Sequence, residues 1–89
     1  MISSEEKRTI KSCAARYGVR RILLFGSALE SDSGYADIDI AVDGLAPHLF
    51  FKFYGELIRG LDKPVDVVDL EDRTPFTEHI AREGVKLYG

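Results

Sequence analysis

Residues 24–42 read LFGSALESDSGYADIDIAV. An apolar run ends in Gly26-Ser27, a small polar stretch follows, and an alternating run opens with Asp37-Ile38-Asp39. In an extended chain successive side chains point to opposite faces, so Asp37, Asp39 and Ala41 share one face while Ile38, Ile40 and Val42 share the other. One face is fit for a core, and the other carries two carboxylates roughly 6.5–7 Å apart. Upstream, RRILLF is nearly continuous in apolar character and too short for a helix, which predicts a buried strand over residues 20–25.

Outward from this stretch the chain alternates helical and extended signals. Ser3 followed by Glu6 is a capping box, and Ile10, Cys13, Ala14 and Tyr17 recur at helical spacing before Gly18. Residues 27–35 read as one short helical turn and a loop. Pro47 suits the first position of a helix whose stripe runs through Phe50, Phe53, Tyr54, Leu57, Ile58 and Leu61, with Gly60 and Pro64 as stops. PVDVVDL predicts a third strand. Thr74 before Pro75 starts a last helix expected to turn Phe76 and Ile80 inward and to stop near Gly84, leaving VKLYG as a tail. The order is αβ(α)βαβα, an α/β (α+β) domain spanning residues 1–89 with no linker.

Composition bounds the function. The 89 residues carry a net charge of −3, with 45% hydrophobic and 30% charged residues, which suits a globular domain and argues against one built to grip nucleic-acid backbone directly. Cys13 is the only cysteine, so neither an internal disulfide nor a cysteine metal cluster is available. No apolar stretch approaches a membrane span, and the expectation is a cytoplasmic protein without membrane contact.

The candidate chemistry lies in the acidic residues. A helical crossover of about twenty residues is what parallel strands require, so Asp66 joins Asp37 and Asp39 if the third strand lies parallel to the second. Gly26-Ser27 meets that cluster if the first strand runs antiparallel to the second. Glycine permits close backbone approach, and a serine opening a helical turn offers donors to a phosphate. Oxygen-only ligands select a hard ion such as Mg²⁺, which shares substrate phosphates. The set describes two-metal phosphoryl or nucleotidyl transfer. Asp69 falls on the opposite strand face and reads as a loop or cap residue.

LLFGS, ADIDIAV and PVDVVDL together resemble the minimal nucleotidyltransferases of the DNA polymerase beta superfamily, and the ending HIAREGVKLYG looks like that family's last helix. The resemblance implies a mixed three-stranded sheet in order 1-2-3 with packed helices. It implies that Asp37 and Asp39 hold two Mg²⁺ ions and that Asp66 ligates the catalytic metal and helps deprotonate the acceptor hydroxyl. Gly26 and Ser27 would hold the β- and γ-phosphates of ATP. Two departures stand out: the loop from Ser27 to Asp37 is one residue shorter than the family pattern, and Ala28, with Glu30 close behind, replaces a basic residue. Arg20, Arg21, Lys63 and Arg73 are the candidates to compensate.

Many small stand-alone members of this family act as antitoxins paired with a helical HEPN toxin, and the resemblance implies transfer of AMP to a tyrosine of that partner. Phe50, Phe51, Phe53 and Tyr54 cannot all face one sheet, so aromatic surface is left for an interface. Self-association stays open. So does a second class of function, a binding module that neutralises its partner by contact without catalysis.

Overall fold

The computed structural model describes residues 2–26 and 36–89. Helix α1 (Ser4–Arg16) starts with the expected capping box: the Ser3 hydroxyl accepts from the Glu6 amide at 3.1 Å, and the Glu6 carboxylate accepts from the Ser3 amide at 2.9 Å. Strands β1 (Arg21–Phe25) and β2 (Ile38–Asp43) pair antiparallel, with Phe25 opposite Asp39. A 3₁₀ turn at Pro47–Leu49 leads into α2 (Phe50–Gly60), which crosses to β3 (Val65–Asp69). β3 lies parallel to β2, as the crossover length demands. Thr74 caps α3 (Pro75–Glu83) through a reciprocal bond pair with Thr77, and Gly84 then opens β4 (Val85–Tyr88).

Among the described residues the sheet has four strands in the order β3-β2-β1-β4, which corrects the expected three-stranded sheet in order 1-2-3. The 1-2-3 neighbours are kept; the addition is VKLYG, which the sequence presents as a tail and as the end of a helix. The helix stops at Glu83, and after Gly84 the four residues Val85–Tyr88 pair antiparallel with β1. Without β4 the apolar β1 would present a row of unpaired amides and carbonyls. The short helical turn expected over residues 27–35 lies outside the described residues.

Two clusters build the core on the two faces. Ile22, Leu24, Ile38, Ile40, Val42, Val65 and Val67 face α1 and α2, meeting Ile10, Cys13, Ala14, Phe53 and Leu57. Leu23, Ala41, Leu70 and Ile80 form the smaller cluster under α3. The alternation read from ADIDIAV is therefore right in both directions: its apolar face is sealed, and its acidic face looks toward the α3 side. The Tyr17 hydroxyl donates to Glu56 at 3.1 Å, Arg16 pairs with the same carboxylate, and Lys63 pairs with Glu6 at 3.2 Å, joining α1 to α2 and to the segment after it.

Phe76 departs from expectation. It is 56% exposed, because the buried side of α3 runs through Thr77 and Ile80, and Phe76 makes a T-shaped contact with Phe25 at 5.9 Å between ring centroids. On α2 the apolar stripe is wider than the contact: Phe53 and Leu57 are buried while Ile58 stays exposed, as does Phe51 outside the stripe.

Candidate active site

The end of the sheet where β1 finishes and β2 begins gathers most of the residues singled out. Gly26 follows β1 at φ +79°, the left-handed region that a side chain strains to adopt. A Cβ there would run into the Asp39 carboxylate, with Asp39 Cγ at only 3.1 Å. The absent side chain is therefore what gives the carboxylate its room. Across the ladder Asp39 stands beside Asp66 as its parallel Cα partner. Adjacent strands are about 4.7–4.9 Å apart, so these two carboxylates on one face are close neighbours. Asp37 sits just before β2 and is exposed, and it shares with Asp66, Pro64 and Val65 a shallow hollow of about 220 Å³. Ser27 lies outside the described residues.

Electrostatics reports the crowding. Burial pushes the Asp39 carboxyl above its ordinary pKa, and the charges of Asp66 and then Asp37 push it the same way. Among the described residues no three His, Cys, Asp or Glu side chains are gathered tightly enough to hold one ion as they stand. What the structure presents is a carboxylate pair in register, a third carboxylate at its mouth, and a backbone cradle kept open by Gly26. These mutually repelling oxygens fit a hard divalent cation, which offsets their repulsion and can draw further oxygen ligands from water or phosphate.

Of the compensating cations read from the sequence, Arg20, Arg21 and Arg73 lie at the other end of β2. Arg20 and Arg21 both pair with Asp43, at 3.3 and 3.1 Å, at the far end of β2. Arg73 lines a hollow of about 380 Å³ at that same far end with them, and Lys63 is engaged with Glu6. Asp69 behaves as expected of a turn residue, accepting from the Glu71 amide at 2.9 Å.

One residue at the site escaped the sequence reading. The Tyr54 hydroxyl lies 3.1 Å from Asp66 Oδ1 and 3.0 Å from the Val65 carbonyl oxygen, and can donate to either. Burial raises its phenol pKa, and the hydrogen bond to Asp66 adds to the rise. The available signal was a polar-tipped aromatic on the helix that links the two acidic strands.

With this geometry in place, comparisons with known proteins agree on one assignment. The family model described as "Polymerase beta, Nucleotidyltransferase" matches residues 8–89. A search of curated proteins gave no match. Among solved structures, a chain of the MntA-HepT toxin-antitoxin crystal structure is 25% identical with a TM-score of 0.73, over 98% of this chain and 73% of that one. A toxin-antitoxin structure with AMP-PNP is 27% identical with a TM-score of 0.76, over 93% and 73%. A toxin-antitoxin mutant with two aspartates, two positions apart, changed to glutamate is 25% identical with a TM-score of 0.75, over 93% and 72%. Signature, sheet and site converge, and the chain belongs to the polymerase beta nucleotidyltransferase family as a minimal nucleotidyltransferase.

Proposed function

We propose that this chain is a Mg²⁺-dependent nucleotidyltransferase that moves AMP from ATP to a hydroxyl, that of a tyrosine, on a small helical HEPN-type partner, and so acts as the antitoxin of a toxin-antitoxin pair. The observation that carries the reading is the pairing of Asp39 with Asp66 beside the side-chain-free approach at Gly26. Support for the nucleotide comes from the similar toxin-antitoxin structure with AMP-PNP.

In this reading Asp37, Asp39 and Asp66 hold the divalent ions, and Gly26 with Ser27 receives the β- and γ-phosphates. When bound, the ions supply charge neutralisation to the triphosphate and to the leaving pyrophosphate. Asp66, on the rim of the sheet and exposed, takes the proton of the acceptor hydroxyl. The acceptor oxygen then bonds to the α-phosphorus as the bond from that phosphorus to the bridging oxygen breaks, and pyrophosphate leaves. The hydrophobic surface at Phe51 and Ile58 serves the partner.

Incubation with labelled ATP, Mg²⁺ and the HEPN-type partner tests this: the label should appear on a partner tyrosine, and Asp39→Ala should abolish it. A second reading, a non-catalytic binding module, is favoured by the engagement of Arg20, Arg21 and Lys63 away from the phosphate approach. Neutralisation of the partner that survives Asp39→Ala undiminished would select it.

A further inference from the structure

Asp66 has an odd position for a group that must be held in one place. β3 is an outer strand of the sheet, and Asp66 is exposed on it. A free aspartate there would sample several rotamers. Tyr54 restrains it. Its ring is held on α2 in a T-shaped contact with Phe50 at 5.9 Å between centroids, which brings the hydroxyl to 3.0 Å from the Val65 carbonyl oxygen, one residue before Asp66. The same hydroxyl is 3.1 Å from Asp66 Oδ1. The single phenol proton can go to either acceptor; donated to Asp66 it engages Oδ1, and Oδ2 carries no hydrogen bond among the described residues.

We infer that Tyr54 is a positioning residue: it pins Asp66 through Oδ1 so that Oδ2 is presented, pre-aimed, to a divalent cation. Outer partners that orient a metal-binding side chain typically change metal affinity by about 10- to 100-fold when removed. The inference rests on the reading of Asp66 as a metal ligand. It adds a residue from the opposite face of the sheet, reaching round the rim, to a site otherwise built from strand ends.

Mn²⁺ affinity of the whole chain, measured without nucleotide, tests it in a double-mutant cycle. Tyr54→Phe keeps the ring and removes the hydroxyl, and should weaken Mn²⁺ binding about tenfold; in an Asp66→Asn background the same change should add nothing. Wild-type affinity in Tyr54→Phe, with Asp66→Asn weakened, overturns the inference and leaves the metal-site reading standing. An equal loss in both backgrounds also overturns it, since Tyr54 would then not act through Asp66. No effect of Asp66→Asn itself removes both. Should Tyr54→Phe fail to fold, NMR of the other two proteins decides. Mg²⁺ should shift the Tyr54 ring resonances in the wild type and leave them still in Asp66→Asn; still resonances in the wild type overturn the inference.

Discussion

Asp39 and Asp66 are Cα partners on adjacent parallel strands, two like charges brought side by side by residues 27 positions apart. Nothing in the pairing of β2 with β3 needs them, since Ile38, Ile40, Val65 and Val67 already seal the other face. Like charges in register weaken a sheet.

The first prediction is that the pair costs stability in the absence of metal. At about 5 Å the repulsion is roughly 3 kcal/mol at an effective dielectric of 20 and nearer 1 kcal/mol when well hydrated. Asp39→Asn should therefore leave metal-free protein as stable or more stable, by about 0.5–2 kcal/mol, in urea melts with EDTA. In excess Mg²⁺ the order should reverse, because ligand binding stabilises the wild type by about 2.7 kcal/mol at a hundredfold excess over Kd. Clear destabilisation of the metal-free variant would mark Asp39 as a structural acceptor.

The pH dependence follows from the same residue. The folded Asp39 carboxyl holds its proton more tightly than in the unfolded chain. Between the unfolded value, about 3.9, and the raised folded value, the folded state binds more protons. Its penalty is fully present at neutral pH and is relieved as pH falls through the folded value. Wild-type minus Asp39→Asn stability, followed from pH 7 downward without metal, should shrink toward zero. A difference that widens on acidification would contradict an origin in burial and like-charge repulsion.

Gly26→Ala should damage fold and site together. The left-handed φ costs a side chain about 1–2 kcal/mol, and the added Cβ meets the Asp39 carboxylate. A loss of about 1–3 kcal/mol in denaturant melts and about a tenfold loss of Mg²⁺ affinity are expected. Asp39→Ala should make room for the methyl, so the stability loss from Gly26→Ala should be smaller in that background.

Arg20→Ala and Arg21→Ala should leave nucleotide affinity untouched. Both side chains end on Asp43, four residues along β2 from Asp39 and so about 13 Å away. Exposed pairs of this kind contribute about 0–1 kcal/mol to stability. A marked loss of ATP binding in either variant would mean that the arginines leave Asp43 when nucleotide arrives.

Phe51→Ser separates interface from core. The ring is 82% exposed, so stability should move by no more than about 0.5 kcal/mol. Affinity for the HEPN-type partner, measured by titration calorimetry, should fall about tenfold or more if this surface is a contact. Unchanged affinity would move the interface elsewhere.

How far the sequence could be read depends on the range of each signal. The caps at Ser3 and Thr74 are written within four residues, and the structure has both. The meeting of Asp39 with Asp66 is a long-range fact, yet the length of the helical crossover and the two-residue alternation were enough to reach it. β4 was not legible: four residues after a glycine carry no sign of which strand they will join, and the open edge of β1 that receives them is a property of the folded sheet. Phe76 shows the limit of periodicity, which tells a helix face but not how far the sheet extends beneath it. Tyr54 reads as stripe because its ring packs as one; its hydroxyl finds Asp66 only where α2 passes the rim.

That rim has a bearing on solubility. VDVVDL, rich in valine and lying outermost in the sheet, is the kind of segment that recruits a strand from another molecule. Asp66 sets a charge at its second position, Pro64 brings no amide donor to its entrance, and the Tyr54 hydroxyl can occupy the Val65 carbonyl. Edge charge and proline of this kind disfavour the addition of a strand from a neighbouring molecule. A variant stripped of these carboxylates to silence its chemistry would be conformationally sturdier and, at high concentration, the one that aggregates.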